Sequence, residues 1–307
     1  MWRFLLSRLL SAIPTMLAII TLAFMLLRAA PGGPFDAEKE IGAEVKAKIE
    51  HAYHLDEPLP KQYLRYLVQL AHGDLGPSFQ YLDNSVNQYI AEGFPVDLKV
   101  GGFALLLACL VGIPLGARAA WRRNGLVDRV AAAVSLVGVS IPVYVAAPLM
   151  ILVFAVTLQW FPAGDWGGGA WRYLVLPVVS LALPYIAYVT RIMRASFIDV
   201  LEQPYIRTAR AKGLGTRDIL FRHALRPALM PLAAFLGPAI VGAITGSIVV
   251  ETTFGLPGIG RSFVEGAFNR DYTMVMGVTI LYGALIIIAN LVADVMQALL
   301  DPRVRLH

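Results

Sequence analysis

The sequence predicts an all-α protein, a polytopic membrane bundle of six transmembrane helices. Composition is the first observation behind this. Hydrophobic residues make up 57% of the 307-residue chain and charged residues 15%, against roughly 45–50% and about 25% in soluble domains. Mean hydropathy, at +0.64, is the second. The third is six charge-free runs, at Leu9–Leu27, Val100–Ala117, Val130–Gly164, Tyr173–Thr190, Pro227–Val250 and Tyr272–Ala293. A helix needs roughly 20 such residues to cross a bilayer core of about 30 Å. A disordered chain, a nucleic-acid-binding tail and an ordinary cytosolic enzyme are excluded on these grounds. The single cysteine, Cys109, permits no internal disulfide and reads as a packing residue.

Taken in order, residues 1–30 form the N-terminus and first span. Arg3 and Arg8 precede its run as in a signal peptide, but 19 uncharged residues exceed the 7–15 of a signal core, and Arg28-Ala29-Ala30 is a poor cleavage site. The span is read as uncleaved. Residues 31–98 form an outer region with eleven acids from Asp36 to Asp97. Helical spacing of Tyr63, Leu64, Tyr66, Leu67 and Leu70 predicts an amphipathic helix lying on the surface. Residues 99–307 carry the other five spans. The third run is too long for one untilted span and is expected to surface near Thr157, with Trp160, Phe161 and Pro162 at the interface. Prolines at 14, 114, 142, 148, 177, 184, 231 and 238 lie in the runs. Each removes a backbone hydrogen bond, which fits helices that bend.

Charge sets the expected orientation. With the N-terminus inside, the inner segments (Arg3 and Arg8, 118–129, 191–226, Arg303 and Arg305) hold sixteen of the 26 basic residues. The positive-inside rule then puts both termini in the cytoplasm. Topology accounts for the net charge of +5, so nucleic acid is not needed as a partner. The inner segment 191–226 is basic and helix-forming. Val200–Lys212 is expected as one helix, with Gly213 in the left-handed position past its end. Thr216 is expected to cap a second helix, with Asp218 in its first turn. Ala209 and Ala211 are small enough for close approach to a partner. After the fifth span, Gly255, Pro257, Gly258 and Gly260 predict a tight, irregular turn.

Several chemistries are missing. No Gly-Lys dipeptide exists, hence no Walker-type phosphate loop, and no His-Glu-x-x-His. No catalytic or metal site is expected. The five histidines fall outside the spans, so a membrane hydrolase built on Ser140 lacks its base. His51 and His54, near Asp56 and Glu57, read as solvated loop residues. Only Asp294, at the edge of the sixth run, offers an ionisable group within the spans. An ion-coupled secondary carrier, the rival from another class, usually shows more.

The inner segment reads Tyr205-Ile206-Arg207-Thr208-Ala209-Arg210-Ala211-Lys212-Gly213-Leu214-Gly215, followed by Arg222-His223-Ala224-Leu225. It resembles the coupling loop of ATP-binding-cassette importer permeases in the variant of the peptide/nickel branch. Arg207 and Thr208 stand where the general pattern has Glu and Ala, while Ala209 and Gly213 match it. Other strings of that branch span the chain. They are Ile13-Pro14-Thr15, Ala30-Pro31-Gly32, Tyr53-His54-Leu55, Gln69 to Phe79, Glu251-Thr252-Thr253-Phe254-Gly255-Leu256-Pro257-Gly258-Ile259-Gly260, Asn269-Arg270-Asp271-Tyr272 and Asp301-Pro302-Arg303. The Gln69–Phe79 string resembles the oligopeptide members more than their dipeptide or nickel cousins, and a dipeptide, murein-peptide or nickel permease is the alternative within the family.

The resemblance implies a type I importer permease fold and import of oligopeptides by alternating access. It also implies a homologous second permease, two cytosolic ATPase subunits that bind ATP and Mg, and a periplasmic peptide-binding protein. This chain itself would hold no cofactor. Arg207, Thr208, Ala209, Arg210, Ala211, Lys212, Gly213 and Asp218 would contact the ATPases. Glu251, Gly255, Pro257, Gly258 and Gly260 would lie at a periplasmic gate or against the binding protein. Ser140, Thr245, Ser247 and Asn290 are polar candidates for the translocation path, or equally helix–helix contacts.

Overall fold

The computed structural model describes residues 2–30, 43–80, 84–245 and 248–300. Among these the chain is helical, with one isolated bridge pairing Pro77 and Ser85. The helices are α1 (Trp2–Ala29), α2 (Ala43–Ala52), α3 (Leu59–Ala71), α4 (Val86–Trp121), α5 (Leu126–Ser140), α6 (Val143–Met150), α7 (Trp171–Leu201), α8 (Pro204–Ala211), α9 (Thr216–Asp218), α10 (Leu225–Ala228), α11 (Met230–Thr245), α12 (Ile248–Phe254), α13 (Ile259–Phe268) and α14 (Tyr272–Leu300). Five segments are long and apolar enough to cross a membrane: Leu6–Ala29, Val86–Trp121, Trp171–Leu201, Met230–Phe254 and Tyr272–Leu300. The bent pair α5–α6, continued by a π-helical turn Ile151–Thr157, makes a sixth when counted as one span.

That third span ends at Thr157, where the sequence places it, but it is broken by a bend of 102°. Pro142 has no N–H to donate, and Ile141 before it is extended (φ −88°, ψ 112°), as a residue preceding proline must be. The second span differs more. Its helix begins at Val86, fourteen residues before the charge-free run. Ser85 and Gln88 start it with reciprocal bonds: Ser85 N–H donates to Gln88 Oε1 (2.9 Å) and Gln88 N–H to Ser85 Oγ (3.3 Å). This is a capping box, which closes the first turn through the two side chains.

The chain divides into two compact units. The first comprises Met1–Leu9, Val96–Pro257 and Leu285–His307. Its core has two parts. In one, Val189, Met193 and Phe197 of α7 pack with Ile206, Ile219, Ala224 and Leu232. In the other, Val96, Val100 and Ala104 of α4 pack with Leu176, Leu181, Val250 and Phe254. Glycine lets α4 approach α7 closely, since a Cβ at Gly116 would stand 2.6 Å from the Thr190 carbonyl oxygen. Asp294, the lone acid of the sixth run, pairs with Arg8 at 2.9 Å.

The second unit comprises Leu10–Pro95 and Gly258–Ala284. The expected amphipathic helix is α3. Its apolar face lies inside the protein, however: Tyr66 joins Ile20, Phe24 and Met276 in a small core flanked by Tyr63, Leu67 and Leu70. Tyr63 reaches Thr21 of α1 by a 2.6 Å hydroxyl–hydroxyl bond. Leu64 and Val68 remain exposed on the other face.

Candidate functional site

The basic segment after α7 is built in three steps. First, α7 stops at Leu201. Pro204 begins α8 as its first residue, and Gln203 before it is extended (φ −67°, ψ 147°). Val200–Lys212 is therefore not one helix, because the same proline rule that breaks the third span divides it. Second, α8 is anchored by Ile206, 0% exposed, and Ala209, 5% exposed, which sink into the core beside Phe197 and Val200. Ala209 therefore packs within its own chain. Arg207, Thr208, Arg210, Ala211 and Lys212 form the exposed face. Third, α8 ends in a glycine stop. Gly213 has φ +80°, its N–H donates to Arg210 O (2.9 Å), and Leu214 N–H donates to Ala209 O (3.3 Å). This is the Schellman pair that satisfies the last carbonyls of a helix.

The next helix starts at Thr216, with Gly215 rather than Thr216 at the cap position and no side-chain cap bond. The expected Thr216 cap is thus displaced by one residue, since Gly215 already supplies the extended backbone. Asp218 does sit in the first turn, 3.5 Å from Arg222. A π-helical turn, Ile219–Ala224, carries the chain into α10.

Three contacts steady this segment that the sequence reading did not name. Arg210 lies over Trp121, 5.5 Å from the ring centroid. Arg226 donates from Nε to Leu300 O (3.1 Å) and from Nη2 to Leu299 O (2.7 Å), closing the end of α14. Arg194 of α7 grips Asp128 of α5 with two donors, Nε to Oδ1 and Nη2 to Oδ2, the second at 2.9 Å. Asn124 N–H also donates to that carboxylate at 2.9 Å. The charges of the pair lie 66 residues apart, and no local pattern links them.

The turn after α12 is as tight as its composition suggests. Glu251 is buried, and its carbonyl accepts from Leu256 N–H at 2.9 Å across Gly255, which has φ +67°. The loop before α7 closes on this helix end, with Asp165 N–H donating to Phe254 O at 2.7 Å. Gly258 is extended (φ −88°, ψ 170°) and caps α13 rather than taking a positive φ, while Gly260 is buried inside that helix. Pro257 is exposed.

Of the polar path candidates, Ser140 is exposed at the end of α5, and Thr245 turns its hydroxyl onto Val241 O (2.9 Å). Asn290 is exposed near Gly237, where an added Cβ would meet its Oδ1 at 3.3 Å. Ser247 lies outside the described residues. Among the described residues, no hydrogen bond joins Ser140, Thr245 and Asn290 to one another.

Two of the recognised strings do meet, within the second unit. Asp271, 1% exposed, caps α14 by accepting from Met274 N–H (3.0 Å) and Thr273 Oγ1 (2.9 Å). Its other oxygen accepts from Ser78 Oγ (2.5 Å) and Gln80 N–H (3.3 Å). An Asp directly before an apolar run is a helix-start signal, legible in the sequence. Its tie to Ser78 is not.

Comparison with known proteins agrees in one direction. The family described as "Binding-protein-dependent transport system inner membrane component" matches residues 112–306, and the N-terminal membrane-component family of the same systems matches residues 1–100. The oligopeptide transport system permease protein OppB of Salmonella typhimurium is 52% identical over 305 residues, covering 99% of this chain and 100% of that protein. OppB of Escherichia coli K12 is 51% identical over the same shares. The dipeptide transport system permease protein DppB of Bacillus subtilis is 42% identical, covering 100% of this chain and 99% of that one. In fold, the chain is similar to the MetNI methionine ABC transporter in an inward-facing crystal form, with TM-score 0.56 and 17% identity over 70% of this chain and 97% of that one. By these matches and its apolar helices, the chain belongs to the family of inner membrane components of binding-protein-dependent transport systems, a multi-pass subunit of a transporter complex.

Proposed function

We propose that this chain is the permease subunit of an ATP-driven importer that moves oligopeptides from periplasm to cytoplasm by alternating access. The observation that carries the reading is full-length identity of 51–52% to permeases named for oligopeptide transport, against 42% to one named for dipeptide transport. A second, homologous permease would complete the pathway. Two cytosolic ATPase subunits would bind ATP and Mg, and a periplasmic binding protein would deliver the peptide. Both termini would be cytoplasmic, as the distribution of basic residues favours.

In this reading α8 is the coupling element. Ile206 and Ala209 fix it to α7's core from beneath, so a push on its exposed residues, Arg207, Thr208, Arg210, Ala211 and Lys212, is passed to a spanning helix. Gly213 ends the helix sharply, and Asp218 lies in the first turn of the next. The Glu251–Gly260 turn would sit at the periplasmic gate. Packed helices with two arrangements, broken at Pro142 and Pro204, would supply the motion.

The test is to purify the tagged chain from its host membrane and identify what co-purifies. Recovery of a second permease, two ATPases and a peptide-binding protein is expected. Recovery of none of them, or of a binding protein loaded with dipeptide or nickel, would displace the oligopeptide reading.

A further inference from the structure

An open groove of about 290 Å³ runs between three helices of the first unit, α4, α11 and α14. Cys109 and Ile113 form its α4 wall, Leu232 and Leu236 its α11 wall, and Met296 and Leu299 its α14 wall. Among the described residues no charged side chain lines it. Leu299 is 60% exposed, and Cys109, Leu236 and Met296 are half-buried, so the groove opens on the surroundings of the bundle. All three helices belong to apolar spans, and those surroundings are therefore lipid. One end of the groove reaches the membrane edge, where α14 finishes at Leu300 and the span Met230–Phe254 begins. Arg226 stands at that end. Its two bonds, to Leu300 O and Leu299 O, go to carbonyls of residues that line the groove. Both acceptors are uncharged. Arg222 and Arg8 have carboxylates, Asp218 at 3.5 Å and Asp294 at 2.9 Å, whereas among the described residues none pairs with Arg226.

An apolar groove inside a membrane, ended at the interface by an uncompensated cation, is complementary to an amphiphile. A free anion would leave the groove empty, and a neutral chain would leave Arg226 without a counter-charge. A protein segment would have to carry a carboxylate to the membrane edge, where ionisable side chains are costly. A lipid phosphate lies at that depth already. The length agrees as well: from Leu229 to Leu236 the groove follows α11 for about 10 Å, within the roughly 15 Å that half a bilayer core provides. We infer that this groove holds one acyl chain of an anionic phospholipid whose phosphate sits on Arg226. The chain restores the dispersion contacts that an open groove lacks. The phosphate of a zwitterionic lipid is already offset by its own ammonium, so an anionic head group is preferred. One basic residue near a membrane surface corresponds to a preference of about fivefold. The site concerns the subunit's lipid partner and stands apart from what the transporter carries.

The experiment places the protein, purified with its accompanying subunits, in phosphatidylcholine nanodiscs. These carry a trace of phosphatidylglycerol with a photoactivatable diazirine midway along one acyl chain. After irradiation, peptide mass spectrometry should find the label on segments 109–113, 229–236 and 296–300. When phosphatidylglycerol replaces phosphatidylcholine as the host lipid, labelling of these segments should fall about fivefold relative to the rest of the chain. Arg226→Gln should lower it about fivefold in phosphatidylcholine and abolish the difference between hosts. Arg217→Gln, on exposed α9, should change neither. Should Arg226→Gln loosen the end of α14, the comparison of host lipids in the unaltered protein carries the test. Label absent from the three segments would overturn the inference. Equal labelling in the two hosts would overturn it too, as would Arg226→Gln without effect. A short bifunctional maleimide attached at Cys109 that captures another subunit would show protein in the groove, and would equally overturn it.

Discussion

Gly213 offers the sharpest perturbation of the segment between α7 and α11. Its φ of +80° costs glycine nothing, whereas an L-residue in the left-handed region costs about 1–2 kcal/mol. A β-branched one approaches about 3 kcal/mol. A Cβ added there meets no atom within 4 Å, so the whole penalty is backbone conformation and none is collision. Gly213 N–H to Arg210 O and Leu214 N–H to Ala209 O are the two bonds that depend on the left-handed turn at the end of α8. A strain of about 2 kcal/mol shifts their equilibrium roughly thirtyfold, and the last turn frays while Ile206 stays anchored. Asparagine tolerates this position. The expected series in binding-protein-stimulated ATP hydrolysis by the reconstituted complex is Gly213→Asn near wild type, Gly213→Ala reduced several-fold and Gly213→Val reduced at least tenfold, all inserting normally. The competing idea is a basic helix held by anionic lipid. It predicts instead that Arg207→Gln with Lys212→Gln, which spares the Arg210–Trp121 stack, does more harm than Gly213→Val. That result, or normal hydrolysis by Gly213→Val, would refute coupling through α8.

Three further outcomes are expected. Asp128→Ala strands Arg194; because that side chain is 33% exposed and can rehydrate, the cost should be about 2 kcal/mol rather than the 3–5 of a fully buried pair. Asp128→Ala with Arg194→Met should recover most of the lost denaturation midpoint in detergent. Asp271→Ala removes a helix cap and its bond from the Ser78 hydroxyl, and should cost about 2 kcal/mol in the same assay; a neutral effect would contradict the cap. For sidedness, in a Cys109→Ala background, cysteine at exposed Leu64 should react with an impermeant reagent from the periplasm and cysteine at Arg217 should not; the opposite pattern would invert the topology.

Much of the architecture was legible because a bilayer imposes a length and a polarity that composition reveals directly. The six runs correspond to five helices and a bent pair. What the runs could not give was where helices begin and end. A charge-free run marks the apolar stretch, whereas α4 starts earlier, at the Ser85–Gln88 box, and carries Glu92, Asp97 and Lys99 along it. Pro204 is a local signal that the helix after Phe197 must restart, because a proline restricts the residue before it to extended backbone. The Gly213 stop was legible for the reason glycine is there. The inward turn of Ala209, the Asp128–Arg194 pair and the Ser78–Asp271 bond were not. Each depends on which face a helix presents to a distant segment, and one sequence does not encode that in any short spacing.

The central claim, ATP-driven peptide import through this subunit, is tested most directly in proteoliposomes containing the complete complex and its loaded binding protein. Uptake of a radiolabelled tripeptide should require ATP and Mg inside, persist when proton and sodium gradients are collapsed, and fall at least tenfold when this chain carries Gly213→Val. Uptake driven by an ion gradient without ATP, or ATP-driven uptake of nickel with none of peptide, would contradict it.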